Sequence, residues 1–125
     1  MMRKLLLALL LTSCTSSAEI ISFEEVVLPI LNLHCVMCHI PGAAQADLNL
    51  YPDAWSQLVG VPSSQSSLSR VEPGYPDKSY LYLKLVGTQD TVDGNGLQMP
   101  FQQGPLTPAQ IEAIRLWIEQ GAEQN

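Results

Sequence analysis

The chain has 125 residues, of which 46% are hydrophobic and 14% charged, and its formal net charge is −6. This length allows one domain with a modest core and excludes a two-domain enzyme. Six Lys and Arg residues stand against twelve Asp and Glu residues, so the chain lacks the basic surface that nucleic-acid binding requires.

The first 13 residues predict an export signal. Arg3 and Lys4 precede an apolar run, residues 5–11, which is too short to span a membrane and is followed by small residues. The end of this stretch, Leu11 to Cys14, resembles the lipobox of bacterial lipoproteins. The resemblance implies cleavage before Cys14 and lipidation of that cysteine. An ordinary signal peptide with a chance cysteine, or an uncleaved start, is the alternative.

Loss of the signal changes the charge and the cysteine count of the mature chain. Removing Arg3 and Lys4 leaves four basic against twelve acidic residues, so the formal charge becomes 4 − 12 = −8. An acidic surface attracts cationic partners. With Cys14 consumed by lipid, only Cys35 and Cys38 remain, and no disulfide framework is available.

The first predicted helix follows a short tether, residues 14–21. Ser22 and Glu25 fit an S-x-x-E capping box at its start. Apolar residues then recur at helical spacing, at Phe23, Val26, Val27, Ile30 and Leu31. Pro29 lies inside this helix, where a proline removes a donor and clashes one turn back, so we expect a kink or a break there.

Two shorter helices are predicted in the middle of the chain. The stretch YPDAWSQLVG predicts a helix with Pro52 in its first turn and Gly60 at its end. After a serine-rich loop, Asp77 or Ser79 is expected to cap a further helix that ends near Gly87.

The last fifth of the chain carries the clearest helix, which follows the longest loop. Residues 87–105 show almost no periodicity, and a loop this long in a small domain is usually functional or disordered. Thr107 is expected to cap the final helix, with Pro108 in its first position and Gly121 at its end. The predicted buried stripe of this helix comprises Ile111, Ile114, Trp117 and Ile118.

The stretch from Cys35 to His39 admits several chemistries. Two thiols separated by two residues reach the two vinyl groups of one porphyrin, and C-x-x-C-H is the pattern of c-type haem attachment. A thiol–disulfide redox pair would open a helix in a βαβ setting, which this chain does not offer. A zinc site formed by His34, Cys35, Cys38 and His39 would have poor tetrahedral geometry. A plain structural disulfide is the remaining alternative. The pattern favours haem bound by Cys35 and Cys38, with His39 as an iron ligand.

A haem iron held by one histidine has a second axial position. A methionine in that position raises the reduction potential and favours electron transfer. Met37 lies inside the attachment turn and cannot reach the opposite face, and Met1 and Met2 lie in the signal. Met99 remains, 60 residues after His39 in the long loop. Its polar neighbours argue against the alternative role of core filler.

These features together resemble a small monohaem class I cytochrome c domain over residues 22–122, with residues 123–125 as a tail. The resemblance rests on C-x-x-C-H after a short helix, on Met99-Pro100 in a long loop, and on the closing helix LTPAQIEAIRLWIEQGA. The stretches PDKSYLYLKLVG and QMP are similar to cytochrome c-like domains of bacterial exported proteins. The resemblance implies an all-α fold with long loops around one covalent haem c, in which the N- and C-terminal helices cross. Pro29 and the serine-rich middle depart from the family pattern and leave the order of the central helices open.

The function implied by this resemblance is one-electron transfer. Cys35 and Cys38 would hold haem c through thioether bonds, and His39 and Met99 would fill both axial positions. Because no position is then left for a substrate, we expect a carrier and not an enzyme. We expect it to be exported to the periplasmic or cell-surface side and lipid-anchored at Cys14, with Thr15 and Ser16 favouring an outer membrane. Redox proteins with basic docking surfaces are the expected partners.

Three other functions stay open at this point. The chain would be a haem-based gas sensor if Met99 does not bind the iron. The other two alternatives are an accessory haem subunit of an exported oxidoreductase and a non-haem lipoprotein with a disulfide.

Arg70 or Lys78 is expected to pair with a haem propionate, because a buried unpaired charge is costly. His34 is expected to face solvent or to act as a cap. The acidic stretch at Asp90 lacks the bidentate Glu of a calcium loop, so we expect its residues to form a turn and not a calcium site.

Overall fold

The computed structural model of the protein describes residues 17–125. The predicted signal sequence, the Cys14 lipidation site and the first residues of the tether lie outside the described residues. Within residues 17–125, no helix is both long enough and apolar enough to cross a membrane.

The N-terminal helical segment has two parts. A π-helical turn, Phe23–Val27, runs directly into α1, Leu28–His34. Ser22 caps the turn, since its hydroxyl accepts a hydrogen bond from the Glu25 amide at 3.1 Å. Pro29 lies in the first turn of α1, where its missing N–H is best tolerated, and the wider π-helical turn comes just before it. The irregularity predicted at Pro29 is therefore present and lies immediately upstream.

Helix α2, Ala54–Leu58, begins two residues later than the sequence suggests. The side chain of Asp53 accepts a hydrogen bond from the Ser56 amide at 3.2 Å and so sets the start of the helix. Pro52 consequently lies outside α2, and the prediction that it occupies the first turn is wrong.

Helix α3, Tyr80–Val86, forms the wall of the candidate site described below. It ends as predicted at Gly87, whose φ of 77° is left-handed and favours glycine. Ser79 stands at the N-cap position, but its buried hydroxyl donates instead to the Tyr75 carbonyl at 2.9 Å. Ser79 thus holds the turn before α3 and makes no side-chain cap.

Short 3-10 turns and isolated bridges complete the middle of the described chain. The turns are Gln45–Asp47, Pro76–Lys78 and Gln89–Val92. The last of these lies inside the long loop, residues 87–105, which is therefore not wholly irregular. Single β-bridges join Val59 to Val71, Pro62 to Ser69, and Ser69 to Ser79, and residues 17–125 contain no sheet. The prediction of an all-helical fold class is confirmed.

Helix α4, Pro108–Glu119, forms as its sequence predicts. Thr107 and Gln110 make a reciprocal capping box: the Thr107 hydroxyl accepts from the Gln110 amide at 3.2 Å, and the Gln110 side chain accepts from the Thr107 amide at 3.0 Å. Pro108 takes the first helical position, and Gly121 follows the helix with a φ of 109°. These are local interactions that span three or four residues, and so the sequence predicts them well.

The core joins the two ends of the described chain. The rings of Phe23 and Trp117 lie 5.2 Å apart with an interplanar angle of 36°, so the π-helical turn packs directly on α4. The Trp117 indole N–H donates to the Glu123 carbonyl at 2.9 Å. The other residues of this core include Val27, Leu31, Leu58, Val71, Leu85, Ile114 and Ile118.

Candidate cofactor site

A cavity of about 640 Å³ opens between the turn after α1, helix α3 and the loop that follows α3. Small-molecule sites typically have volumes of ~300–1,000 Å³, so the cavity has the size of a cofactor site. Much of its wall is apolar and includes Leu48, Leu50, Leu58, Leu81, Leu85 and Leu97. The four residues predicted to bind haem all line it, namely Cys35, Cys38, His39 and Met99.

The turn that carries the two cysteines is fixed by backbone hydrogen bonds. The Cys35 amide donates to the Leu31 carbonyl at 2.9 Å and so continues from the end of α1. The amides of Cys38 and His39 both donate to the Cys35 carbonyl at 3.1 Å. The tight turn brings both cysteines and the histidine to the wall of one cavity.

The two thiols are both free but differ in environment. Cys35 is half-buried, and burial, together with the negative charge of Cys38, raises its pKa to about 11. Cys38 is exposed at the surface. Cys35 therefore remains a protonated thiol at neutral pH.

This difference predicts unequal alkylation of the two cysteines in the haem-free protein. At about pH 8, a pKa near 11 leaves roughly one Cys35 in a thousand as the reactive thiolate. We expect iodoacetamide to modify Cys38 at least ~10-fold faster than Cys35. Peptide mass spectrometry over time measures both rates, with Cys35→Ser as the control that isolates Cys38. Equal rates would contradict the described burial of Cys35.

The imidazole of His39 is held by one of its two nitrogens. Nδ1 lies 3.2 Å from the Leu48 carbonyl oxygen. Because a carbonyl only accepts, this contact assigns the proton to Nδ1 and leaves the lone pair on Nε2. Burial lowers the pKa of His39, which favours the neutral ring that a metal binds. Metal-binding histidines are commonly oriented through such a hydrogen bond to the other nitrogen.

Met99 is brought to the cavity by a loop that is fastened to α3. The Met99 amide donates to the Lys84 carbonyl at 3.0 Å, and the Gln98 side chain donates to the Leu85 carbonyl at 2.8 Å. Lys84 Nζ donates to the Asn95 carbonyl at 2.9 Å. The sequence suggests an iron–sulfur bond as the reason for order in this loop, but these bonds hold residues 95–99 through the protein alone.

The loop also requires a close approach at Gly94. A Cβ placed there would lie 2.5 Å from the Gln89 carbonyl oxygen and 2.7 Å from the Tyr80 hydroxyl. The same hydroxyl accepts from the Asn95 amide at 3.1 Å. Glycine therefore lets this part of the loop lie against α3 next to the cavity.

Two buried cations line the cavity, and only one of them is a residue that the sequence suggests. Arg70 is 9% exposed and donates to the carbonyls of Gln57 and Asp47, both at 2.8 Å. Lys84 is 7% exposed and was not identified from sequence, because a lysine in an apolar helix gives no signal of the direction it faces. Lys78, the alternative to Arg70, is exposed and lies over the Tyr75 ring, 4.7 Å from its centroid.

His34, for which the sequence suggests a solvent-facing or capping role, is half-buried and has a polar contact at each ring nitrogen. The Gln110 side-chain amide lies 3.2 Å from His34 Nε2, and the Gln103 side-chain oxygen lies 3.4 Å from Nδ1. Since the Gln110 carbonyl oxygen already accepts from Thr107, its amide nitrogen donates to Nε2. Both ring nitrogens are thus engaged, and His34 joins the attachment turn to α4 and to the loop after Met99.

The residues that line this cavity include the groups that a haem would require. Among the residues that the structure describes, no three His, Cys, Asp or Glu side chains are grouped to hold a metal. A haem needs no such group, since the porphyrin supplies four nitrogens and the protein supplies only the axial ligands. A haem is a flat apolar ring that carries carboxylates. The cavity offers it an apolar wall, the C-x-x-C pair, one free imidazole nitrogen, a thioether and two cations.

Comparison of the chain with protein-family models, with curated proteins and with solved structures finds no match in any of the three.

Proposed function

We propose that this chain is a small c-type cytochrome that carries one electron at a time on a covalently attached haem. The observation that supports this most is the composition of one cavity wall. Two cysteines, the adjacent histidine and a methionine 60 residues further along the chain all line it. C-x-x-C-H with a distant methionine is the complete binding set of a haem c with histidine and methionine ligands.

Each of these residues has a separate task in the proposal. Cys35 and Cys38 would anchor the haem through thioether bonds, His39 would bind its iron through Nε2, and Met99 would bind the iron through its sulfur. The bound haem supplies a reversible one-electron couple. The hydrogen bond from His39 to Leu48 sets the imidazole orientation. With His39 and Met99 both bound to the iron, the haem would have no position for a substrate, and we infer a carrier.

The cations at the cavity wall support the same ligand. A haem carries two carboxylates, and a buried carboxylate is costly unless it is paired. Arg70 and Lys84 both line the cavity, whereas the ion pairs found within residues 17–125 all belong to Arg115. Both cations therefore have donors for the haem carboxylates and no carboxylate of the described protein within ion-pair distance.

The place of action and the partners belong to the same proposal. Lipidation at Cys14 would hold the haem domain at the outer surface of a membrane, where redox partners are concentrated. With a charge of −8 after cleavage, the domain attracts partners that have basic docking surfaces. None of the described acidic side chains lines the cavity, so this attraction acts at long range and not at the cavity mouth.

The decisive experiment is expression of the full chain together with haem-attachment machinery. We expect the intact mass of the purified protein to include one haem, with a ferric spectrum that carries the weak far-red band of sulfur ligation. The matched control is the double variant Cys35→Ala and Cys38→Ala, which should lose covalent haem completely. A wild-type mass without haem overturns the proposal, and a mass lower by two hydrogens indicates a disulfide instead.

A further inference from the structure

Lys84 is buried in the middle of α3 and faces the cavity rather than solvent. It is 7% exposed and lines the cavity. Its Nζ donates to the Asn95 carbonyl at 2.9 Å, and a Cβ at Gly96 would lie 3.2 Å from the same nitrogen. Glycine at position 96 therefore leaves the room that the ammonium group occupies.

This cation is not neutralised by the described protein. The ion pairs within residues 17–125 join Arg115 to Glu112 and to Glu119, on the exposed side of α4. Arg70, the other buried cation, donates to two backbone carbonyls and so holds the chain in place. Lys84 makes one carbonyl contact, and two of its three N–H donors are left for a ligand of the cavity.

Lys84 and the proposed histidine ligand lie on the wall of the same cavity. Both Lys84 and His39 line it, and none of the described carboxylates does. The positive charge of Lys84 therefore opposes further positive charge on a group bound in the cavity.

We propose that Lys84 sets the reduction potential of the haem by favouring the reduced state, an inference that rests on the function proposed above. Reduction adds one electron to the iron–porphyrin unit, and a nearby buried cation stabilises that added charge. The sign is the same when a haem carboxylate pairs with Lys84, because removing the lysine then leaves a buried negative charge that favours the oxidised form. Lys84 is thus a tuning residue and not an iron ligand.

The test is a redox titration of the haem-loaded protein, followed by absorbance. Lys84→Gln should lower the potential by the equivalent of about a 10-fold change in the redox equilibrium, about 59 mV for one electron. Lys84→Arg keeps the charge and should retain most of the wild-type potential. The matched control is Lys78→Gln, which removes an exposed lysine from the same region and should change nothing. Equal potentials in Lys84→Gln and wild type, with covalent haem present, overturn this inference and leave the proposed function intact.

A second comparison covers the case in which Lys84→Gln disturbs the loop. The absorbance spectra of Lys84→Gln, Lys84→Arg and wild type show whether each protein keeps the Met99 ligand. When both variants keep it, Lys84→Gln should have a lower potential than Lys84→Arg, whose cation is permanent. Equal potentials in the two variants would overturn the inference.

Discussion

Met99→Ala is expected to keep its covalent haem and lose the sixth iron ligand. The thioether bonds proposed for Cys35 and Cys38 do not depend on the loop, so the haem content should not change. The far-red ferric band should disappear, carbon monoxide should bind the ferrous protein readily, and the potential should fall by a large share of the ~0.8 V range that axial ligands set. The bonds from α3 to residues 95–98 stay in place, so the structural change should be local.

The matched control for this variant is Met37→Ala. Met37 lies within the attachment turn and is 79% exposed, so its sulfur is not expected to bind iron from the opposite face. Its loss should leave the spectrum and the potential as they are in wild type. An unchanged spectrum in Met99→Ala would exclude Met99 as a ligand. Wild-type protein that binds carbon monoxide readily would move the proposal from electron carriage to gas binding.

Trp117→Ala is expected to destabilise the protein more than any substitution at the surface. Trp117 is 1% exposed, packs against Phe23 and is bonded to the Glu123 carbonyl, so one side chain joins α4 to the N-terminal turn. Removing a buried Trp typically lowers the free energy of unfolding by ~3–5 kcal/mol, against a usual total of ~5–15 kcal/mol. Urea unfolding at fixed haem content measures this loss.

Two controls separate packing from hydrogen bonding in that experiment. Trp117→Phe keeps an aromatic ring against Phe23 and should recover much of the lost stability, although it leaves the Glu123 carbonyl without its donor. Tyr51→Ala removes a large side chain that is mostly exposed and should cost little. A loss below about 1 kcal/mol in Trp117→Ala would show that the two ends of the described chain do not depend on this contact.

Two lysines of one sequence stretch show that a motif does not reveal which of its residues line a cavity. Lys78 and Lys84 lie six residues apart, and both belong to the stretch PDKSYLYLKLVG. Lys78 precedes α3 and lies over an exposed tyrosine ring, whereas Lys84 lies inside α3 on the side that faces the cavity. The direction in which α3 packs decides that Lys84 faces the cavity, and that direction is not a local property of the sequence.

Some features of this protein follow from interactions over three or four residues and can be predicted from the chain alone. These are the helical class, the capping box of α4, the end of α3 at Gly87, and the C-x-x-C-H turn that places two thiols and an imidazole together. Other features emerge only in the folded chain, where Met99 shares a cavity with that turn, His34 is bonded on both nitrogens, and Lys84 is buried beside the site. Each of these depends on packing between segments tens of residues apart, where many arrangements satisfy the same local pattern and only the common core selects one.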